Sequence, residues 1–500
     1  MTAGSGGVDF GVSRGSERYA MAGLSLMLQT ILAGILVLLA VLSAQLVTLA
    51  CIRMFRPAPR LRCPKLPDDA LPHVLVQLPV CDEGPLAVRV AQAAAQMDWP
   101  RDRLHIQLLD DGHLHHHDAL ARNVEDAVPA NVDFEILRRG HRGGFKAGNL
   151  AFGLMHNDAP YVAVFDADFV PPADFLRRTI PPLVGDVGLA FVQARWGHAN
   201  RTRNWLTRAQ GVLLDSHFAV EQEARYRSGL PISFNGTAGV WRREAIENGG
   251  GWTGDTLTED LDLSIRCAIK GWRAALISDL EVPGELPETA AAWRAQQARW
   301  TKGHAQCAKK LVPMIWASDM PFWKKAVVSL QICQFGFYSL AAVSAAISLT
   351  LMYMGVIYEQ SVAMLGLGVT ALGLSASIFY LYLGQAMLGR ERRLAIARSI
   401  FLALVFPSGL VLSNTRATID AFAGNQMVFN RTLRPHEIYR GGWRGGPELV
   451  VGFLLPLFAF AEQAWSAPFF LFAVAGLVSI GAMGFSGAGG SASRDIAPGE

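Results

Sequence analysis

The stretch YVAVFDADFVPP (residues 161–172) sets two carboxylates, Asp166 and Asp168, at the exit of an apolar segment. Residues 161–165 are short, β-branched and aromatic, which predicts a buried strand. Pro171 and Pro172 forbid its continuation. Two chemistries are open to such a pair. One is a turn, because aspartate side chains accept hydrogen bonds from nearby N–H groups where strands end. The other is a cation site: Mg2+ and Mn2+ are hard ions that take oxygen ligands and bind substrate phosphates as well.

The pattern recurs. HVLVQLPVCDEG (residues 73–84) reads as a strand followed by Asp82 and Glu83, then a helical stretch over 85–97. LHIQLLDDG (residues 104–112) is another strand ending in Asp110 and Asp111. Alternating strand, loop and helix is the signature of an open α/β sheet, whose ligands sit at the carboxyl ends of the strands. Three consecutive acid-ended strands would collect several carboxylates in one crevice, tolerable only with a cation or basic groups beside them. No G-x-G-x-x-G follows the first strand, so the usual dinucleotide fingerprint is absent.

Further segments carry complementary chemistry. HRGGFKAGNL (residues 141–150) places Arg142 and Lys146 around two glycines ahead of a helix, which suits a phosphate or a sugar as well as a basic surface loop. TLTEDLDLSIRC (residues 256–267) opens a helix with Thr258 as N-cap and Glu259 and Asp260 in the first turn; Asp260 also suits a general base on a hydroxyl. In WRAQQARW (residues 293–300), Trp293, Gln296, Gln297 and Trp300 share one helix face. Indole stacks on a sugar ring and amides bond to its hydroxyls; the same face also suits a membrane interface, where tryptophan is favoured. Arg299 points elsewhere and is placed to clamp a diphosphate. GHLHHHD (residues 112–118) is not expected to bind zinc. His115, His116 and His117 are adjacent and cannot all point one way, so an exposed loop is expected there.

These elements must be held by a chain of 500 residues that is 51% hydrophobic and 17% charged, with mean hydropathy +0.25. Long apolar runs explain the value: 22–51 first, then 327–356, 362–383, 400–412, 449–461 and 467–485. The first is too long for a signal-peptide core and reads as an uncleaved anchor. Residues 52–325 form one soluble domain between membrane segments. Arg53, Arg56, Arg60, Arg62 and Lys65 flank it on one side, and Lys309, Lys310, Lys324 and Lys325 on the other, so the positive-inside rule places it in the cytoplasm. The basic residues around 390–398 and 415–444 put both flanks of the short run 400–412 on that same side. It therefore dips into the membrane or lies on it, which leaves five spans in the membrane part of residues 326–486 and the first helix together. Six scattered cysteines show no C-x-x-C pair and are expected as free thiols. A net charge of +3 gives no ground for a nucleic-acid partner, and the sequence does not fix an oligomeric state. Residues 1–21 and 487–500 are expected to be mobile.

Taken in order, Asp110/Asp111, Asp166-Ala-Asp168, Thr258-Glu259-Asp260 and Gln296-Gln297-Ala298-Arg299-Trp300 resemble the D, DxD, TED, QxxRW series of membrane-bound processive family 2 glycosyltransferases, the cellulose-synthase-like group. VQARWGHAN (residues 192–200), FNGTAGVWRR (234–243) and KAGNL (146–150) look like the glucomannan-synthase subgroup. The resemblance covers residues 74–310 and extends loosely to FNRTLRP (429–435). It implies a GT-A-type (Rossmann-like) α/β glycosyltransferase domain inserted between transmembrane helices of the plasma membrane. It also implies roles. Asp110 or Asp111 would contact the nucleotide base, with Lys146 on the donor. Asp166 and Asp168 would bind the donor diphosphate through Mg2+ or Mn2+. Asp260 would deprotonate the acceptor hydroxyl. Gln296, Arg299 and Trp300, with Glu259, would hold the diphosphate and the acceptor sugar. The partners implied are a nucleotide sugar, a glycan or lipid acceptor, and the bilayer. UDP-glucose and GDP-mannose both remain open as donors. No added domain follows the last apolar run, so regulation by a cyclic dinucleotide is not expected. Competing readings are a non-processive enzyme making a glycolipid, and a transporter or receptor whose soluble domain is degenerate.

Overall fold

Strand formation follows the apolar runs. β1 (Val74–Val80), β2 (Leu104–Asp110), β3 (Asp133–Leu137), β4 (Tyr161–Val164), β5 (Leu189–His198), β6 (Gly239–Arg242) and β7 (Arg273–Gly284) form one sheet in the order β3-β2-β1-β4-β6-β5-β7. The structure is a computed structural model describing residues 11–356, 358–389, 393–424, 445–461 and 474–483. β1, β2, β3 and β4 pair in parallel, as do β5 and β7; β6 alone runs against its neighbours β4 and β5. The acid-bearing carboxyl ends of β1, β2 and β4 therefore share one edge, and the segment entering β6 arrives at that same edge.

Both sheet faces are covered, which is why β1 reads as an almost unbroken hydrophobic run. Val74, Val76, Leu78 and Val80 point into one core, with Ile106, Leu108, Phe165 and Phe175. Leu75 points into the other, with Leu150, Phe191, Phe234 and Trp241. At about 1.5–3 kcal/mol per large buried side chain, these two cores dominate the stability of the domain. Expected and observed bounds differ by a residue or two: the helix after β1 is Gly84–Ala95, and β4 stops at Val164. Phe165 still donates its N–H to Gln77 O at 3.1 Å.

Among the described residues, three helices are long and apolar enough to cross a membrane: Tyr19–Phe55, Gly336–Tyr353 and Gln360–Leu388. The first belongs to a helix that starts at Gly11, inside the segment expected to be mobile. The apolar run 327–356 is not one span. It breaks between the helices Phe322–Cys333 and Gly336–Tyr353. The first of these packs Val328 and Ile332 against Leu261 and Ile265 of the helix Glu259–Ile269. The run 400–412 falls within a helix pair, Ala395–Ser408 and Val411–Phe422, bent by 48°, a broken span or a re-entrant loop. Toward the C-terminus the described helices are Gly446–Ala461 and Val474–Met483; residues 429–435 lie outside the described residues.

Candidate active site

The first acid pair is neutralised by a strand that the sequence reading passed over. β3 comes between β2 and β4 in the chain and ends at Leu137, directly before Arg138 and Arg139. Acid-ended strands are thus not consecutive in the chain, and the cations they need come from the strand between. Arg138 Nε donates to Asp110 Oδ2 at 3.0 Å, while Asp110 Oδ1 accepts from Gly112 N at 2.9 Å. Arg139 grips Asp111 with both arms, Nε to Oδ1 at 2.7 Å and Nη2 to Oδ2 at 2.5 Å. Arg139 also donates to Gly143 O at 2.6 Å and Phe145 O at 2.7 Å. Asp111 therefore anchors, through Arg139, the glycine turn that leads into Lys146. His117 belongs to the helix Leu114–Glu125 rather than to the expected exposed loop; its ring lies 3.1 Å from Gly112 O and 3.6 Å from Asp110 Oδ2.

The helix Phe145–Leu154 is seated with little freedom. Asn149 Nδ2 donates to Leu109 O at 2.8 Å, and a Cβ on Gly153 would come within 2.4 Å of Gln77 Nε2. A Cβ on Gly148 would lie 2.1 Å from Gly143 O, so only glycine closes this turn. The seating sends Lys146 into the crevice. Its Nζ donates to Asp166 Oδ1 at 2.5 Å and to Gly236 O at 2.8 Å, and stands 3.8 Å from Glu259 Oε1. Burial pulls this ammonium down, but Asp166, Glu259 and Asp260 outweigh it and hold Lys146 above its ordinary value. One cation thus ties the DxD segment to the TED segment.

The remaining acids are less well compensated. Asp168 is half-buried, and desolvation together with Asp166, Glu83 and Glu285 pushes it up to about 7. Asp260 is pushed up to about 7 by burial and by Glu259, although Leu261 N donates to its Oδ1 at 2.8 Å. Burial raises Glu259 as well. Arg299 faces Glu259, Asp166, Asp168 and Asp260 together; its burial pulls the guanidinium below its ordinary value against their attraction. The structure therefore gathers Asp166, Asp168, Lys146, Glu259, Asp260 and Arg299 in one crevice. Asp110 and Asp111 lie along the same sheet edge, each held by an arginine.

The QxxRW helix spans Ala290–Ala317, and Thr289 caps it by accepting from Ala292 N at 3.2 Å. Trp293 does not share the fate of Trp300. It is fully buried among Leu206, Val405, Phe406 and Ile480, so it is a core residue and not a sugar platform. Gln296, Gln297 and Trp300 are half-buried; the Trp300 carbonyl accepts from His304 Nδ1 at 2.9 Å. Thr258 stands at the N-cap of Glu259–Ile269, yet its hydroxyl caps nothing and lies 3.3 Å from Cys307 Sγ. A Cβ on Gly303 would strike Thr258 Cγ2 at 2.5 Å, and Gln306 Oε1 accepts from Leu257 N at 2.9 Å. The helix is thus latched one turn and two turns after Trp300 onto the segment that carries Asp260.

The residues fit a divalent cation. Asp168 is a half-buried carboxylate that makes no ion pair among the described residues, and Asp166 beside it offers a second set of hard oxygens. Among the described residues no three His, Cys, Asp or Glu side chains are set to hold a metal ion by themselves, so the donor diphosphate and water would complete the coordination.

Residues 161–385 match the profile of the glycosyl transferase family group 2. The chain carries a glycosyltransferase family 2 domain. The family 2 domain is similar to Glucomannan 4-beta-mannosyltransferase 1 of Oryza sativa subsp. japonica, 40% identical over 293 residues, 54% of this chain and 54% of that one. It is also similar to Glucomannan 4-beta-mannosyltransferase 7 of Arabidopsis thaliana, 41% identical over 261 residues, 51% of this chain and 47% of that one. The chain thus spans about half the length of these relatives. Among solved structures, a mannosyltransferase from Pyrobaculum calidifontis in complex with GDP-Man and Mn2+ aligns with a TM-score of 0.50 at 20% identity, covering 74% of this chain and 99% of the other. That likeness shows the GT-A fold.

The family 2 domain also uses residues that the motif reading missed. The turn before β6 supplies the Gly236 carbonyl to Lys146 and the Thr237 hydroxyl to Asp166 N at 2.9 Å. A Cβ on Gly236, whose φ is +80°, would lie 3.1 Å from Asp260 Oδ2. Its neighbour Asn235 is fixed at both ends of its amide, by Gln222 Nε2 at 2.7 Å and by His217 Nε2 at 3.1 Å. The signal was present in FNGT, where a glycine between polar residues ahead of a strand marks a turn.

Proposed function

We propose that the protein is an inverting hexosyltransferase that moves a sugar from a nucleotide sugar onto a β-glycan. The observation that carries this reading is Lys146, which holds Asp166 of the DxD segment and lies within 4 Å of Glu259 of the TED segment. It sets a diphosphate-binding pair and a candidate base on one crevice. Asp260 takes the proton from the acceptor hydroxyl, and the freed oxygen attacks the anomeric carbon from the side opposite the leaving group. The bond to the diphosphate oxygen breaks, and its electron pair leaves with the nucleoside diphosphate. Arg299 takes up the charge that develops there. Asp166 and Asp168 would hold Mg2+ or Mn2+, which supplies positive charge to the diphosphate. A single displacement turns an α-linked donor into a β-linked product, and no covalent intermediate on the enzyme is required.

GDP-mannose is the donor favoured by likeness to the mannosyltransferases above, with UDP-glucose as the competitor. Asp110 or Asp111 would contact the nucleotide base, and Gln296 and Trp300 would hold the acceptor sugar. We take the product to be a polymer, elongated processively and passed between the membrane helices, because a polar glycan needs a path lined by protein. The catalytic domain would then lie on the cytoplasmic side of the plasma membrane. The test is a donor panel on the purified chain in detergent, with the product sized after digestion by linkage-specific glycanases. A mannanase-sensitive polymer from GDP-mannose is expected. A single sugar transferred to lipid would replace the polymer reading with the glycolipid one.

A further inference from the structure

A second concave site lies on the sheet edge opposite the acids. It is a cavity of about 610 Å³ at the amino ends of β5 and β7, near Leu189, Phe191 and Ala274. Six cationic side chains line it, Arg56, Arg60, Arg62, Arg227, Arg273 and Lys324, against one carboxylate, Asp186. Arg273 takes Asp186 at 2.7 Å, and Arg227 takes Glu223 at 2.7 Å. Among the described residues, Arg56, Arg60, Arg62 and Lys324 make no ion pair. Four unneutralised cations around one hollow repel each other, and an anion in the hollow removes that cost.

The cations are not on a loose tether. A Cβ on Gly185 would lie 2.2 Å from Arg62 O, so the linker rests on the domain surface there. Leu61 and Leu66 pack into the main core on either side. Arg227 Nη1 also donates to Arg56 O at 2.7 Å and pins the start of the linker.

The position selects the kind of anion. Arg56 follows directly on Phe55, the last residue of the membrane-length helix Tyr19–Phe55. Phe55 is 78% exposed, and Phe322 and Trp323, beside Lys324, are 75% and 56% exposed. Bare aromatic side chains next to cations at the end of a span mark the headgroup layer of a bilayer, where lipid phosphates lie. We propose that this cavity binds the phosphate headgroup of an anionic phospholipid, held by Arg56, Arg60, Arg62 and Lys324. The inference rests on Tyr19–Phe55 crossing a membrane and is independent of which sugar the active site transfers.

The experiment uses the full chain purified in detergent. It is titrated with phosphatidylglycerol, phosphatidylcholine, inorganic phosphate or GDP, and bound lipid is counted by native mass spectrometry. Wild type should retain phosphatidylglycerol and not phosphatidylcholine. The triple variant Arg60→Gln, Arg62→Gln, Lys324→Gln should bind phosphatidylglycerol about 10²-fold more weakly, roughly a factor of five per charge removed. These side chains are not buried, so the variant should melt as wild type does, and that is checked in parallel. Equal retention by both proteins would overturn the site and leave only lipid coating the spans. Displacement of phosphatidylglycerol by micromolar inorganic phosphate or GDP would overturn the lipid assignment in favour of a soluble phosphate ligand.

Discussion

The two ends of the acidic crevice treat their carboxylates in opposite ways. At β2, Asp110 and Asp111 meet Arg138 and Arg139 at hydrogen-bond distance, and the pairs are spent on holding loops. At β4 and the TED helix, Lys146 reaches Asp166 and Glu259, and Arg299 is attracted by Asp166, Asp168, Glu259 and Asp260 together. Two of them, Asp168 and Asp260, are pushed up to about 7. In sequence the DD, DxD and TED segments look alike. In the fold the first is electrostatically complete, and the others lack positive charge. A site short of positive charge is one that a cation and a proton can enter, and this is where the chemistry is placed.

The comparison breaks most visibly at Asp168. If the shortfall is met by a divalent ion, activity should vanish in excess chelator and return with Mn2+ or Mg2+. Asp168→Ala should weaken donor binding in the presence of metal and leave it unchanged in its absence, as read by calorimetric titration. Full activity in excess chelator would make Asp166 and Asp168 a turn and nothing more.

The completed end should respond differently. Arg139→Lys keeps the charge but loses the two-armed grip on Asp111 and the bonds to the glycine turn. The expected cost is about 1–3 kcal/mol of stability, read from denaturation, with turnover of the folded protein within a few-fold of wild type. A loss of turnover as deep as that of Asp168→Ala, without loss of stability, would erase the contrast.

The smallest effect is on stability against pH in the metal-free protein. Asp168 and Asp260 stand at about 7 in the folded chain, above the ordinary carboxylate value of 3.8. The folded state therefore binds their protons more tightly than the unfolded state. Stabilisation is fully present below about 4 and is lost as pH rises through about 7. Melting in EDTA should fall over that window and level off above it. Asp260→Asn should flatten the fall and melt higher than wild type at pH 8, by about 2–4 °C for each kcal/mol relieved. A wild-type profile that rises over the same window would contradict the shifts.

Much of this was legible because the signals are local. Apolar runs with β-branched residues marked β1, β2 and β4, and each motif carried its own chemistry. The need for basic groups near the acids followed from charge alone, but their source did not. β3 is short and half-exposed, with the pattern DFEIL, and gives a weak strand signal. Its arginines matter only through pairing with β2, a non-local fact. Trp293 and Trp300 sit on one helix seven residues apart, yet one faces the core among Val405 and Ile480 and the other does not. Helical periodicity gives the shared face but not what each turn of it meets. The break at Gln334–Phe335 was hidden for a similar reason: Val328 and Ile332 are apolar toward the domain core, which hydropathy cannot distinguish from lipid.

The account stands most directly on Asp260 as the base. The measurement is a paired one on Asp260→Asn with Mn2+ present: donor affinity by calorimetry and sugar transfer by product formation. The substitution keeps the shape of the side chain and removes its ability to accept the proton. The account predicts donor affinity close to wild type and transfer lower by about 10²-fold or more. Transfer near the wild-type rate would contradict it.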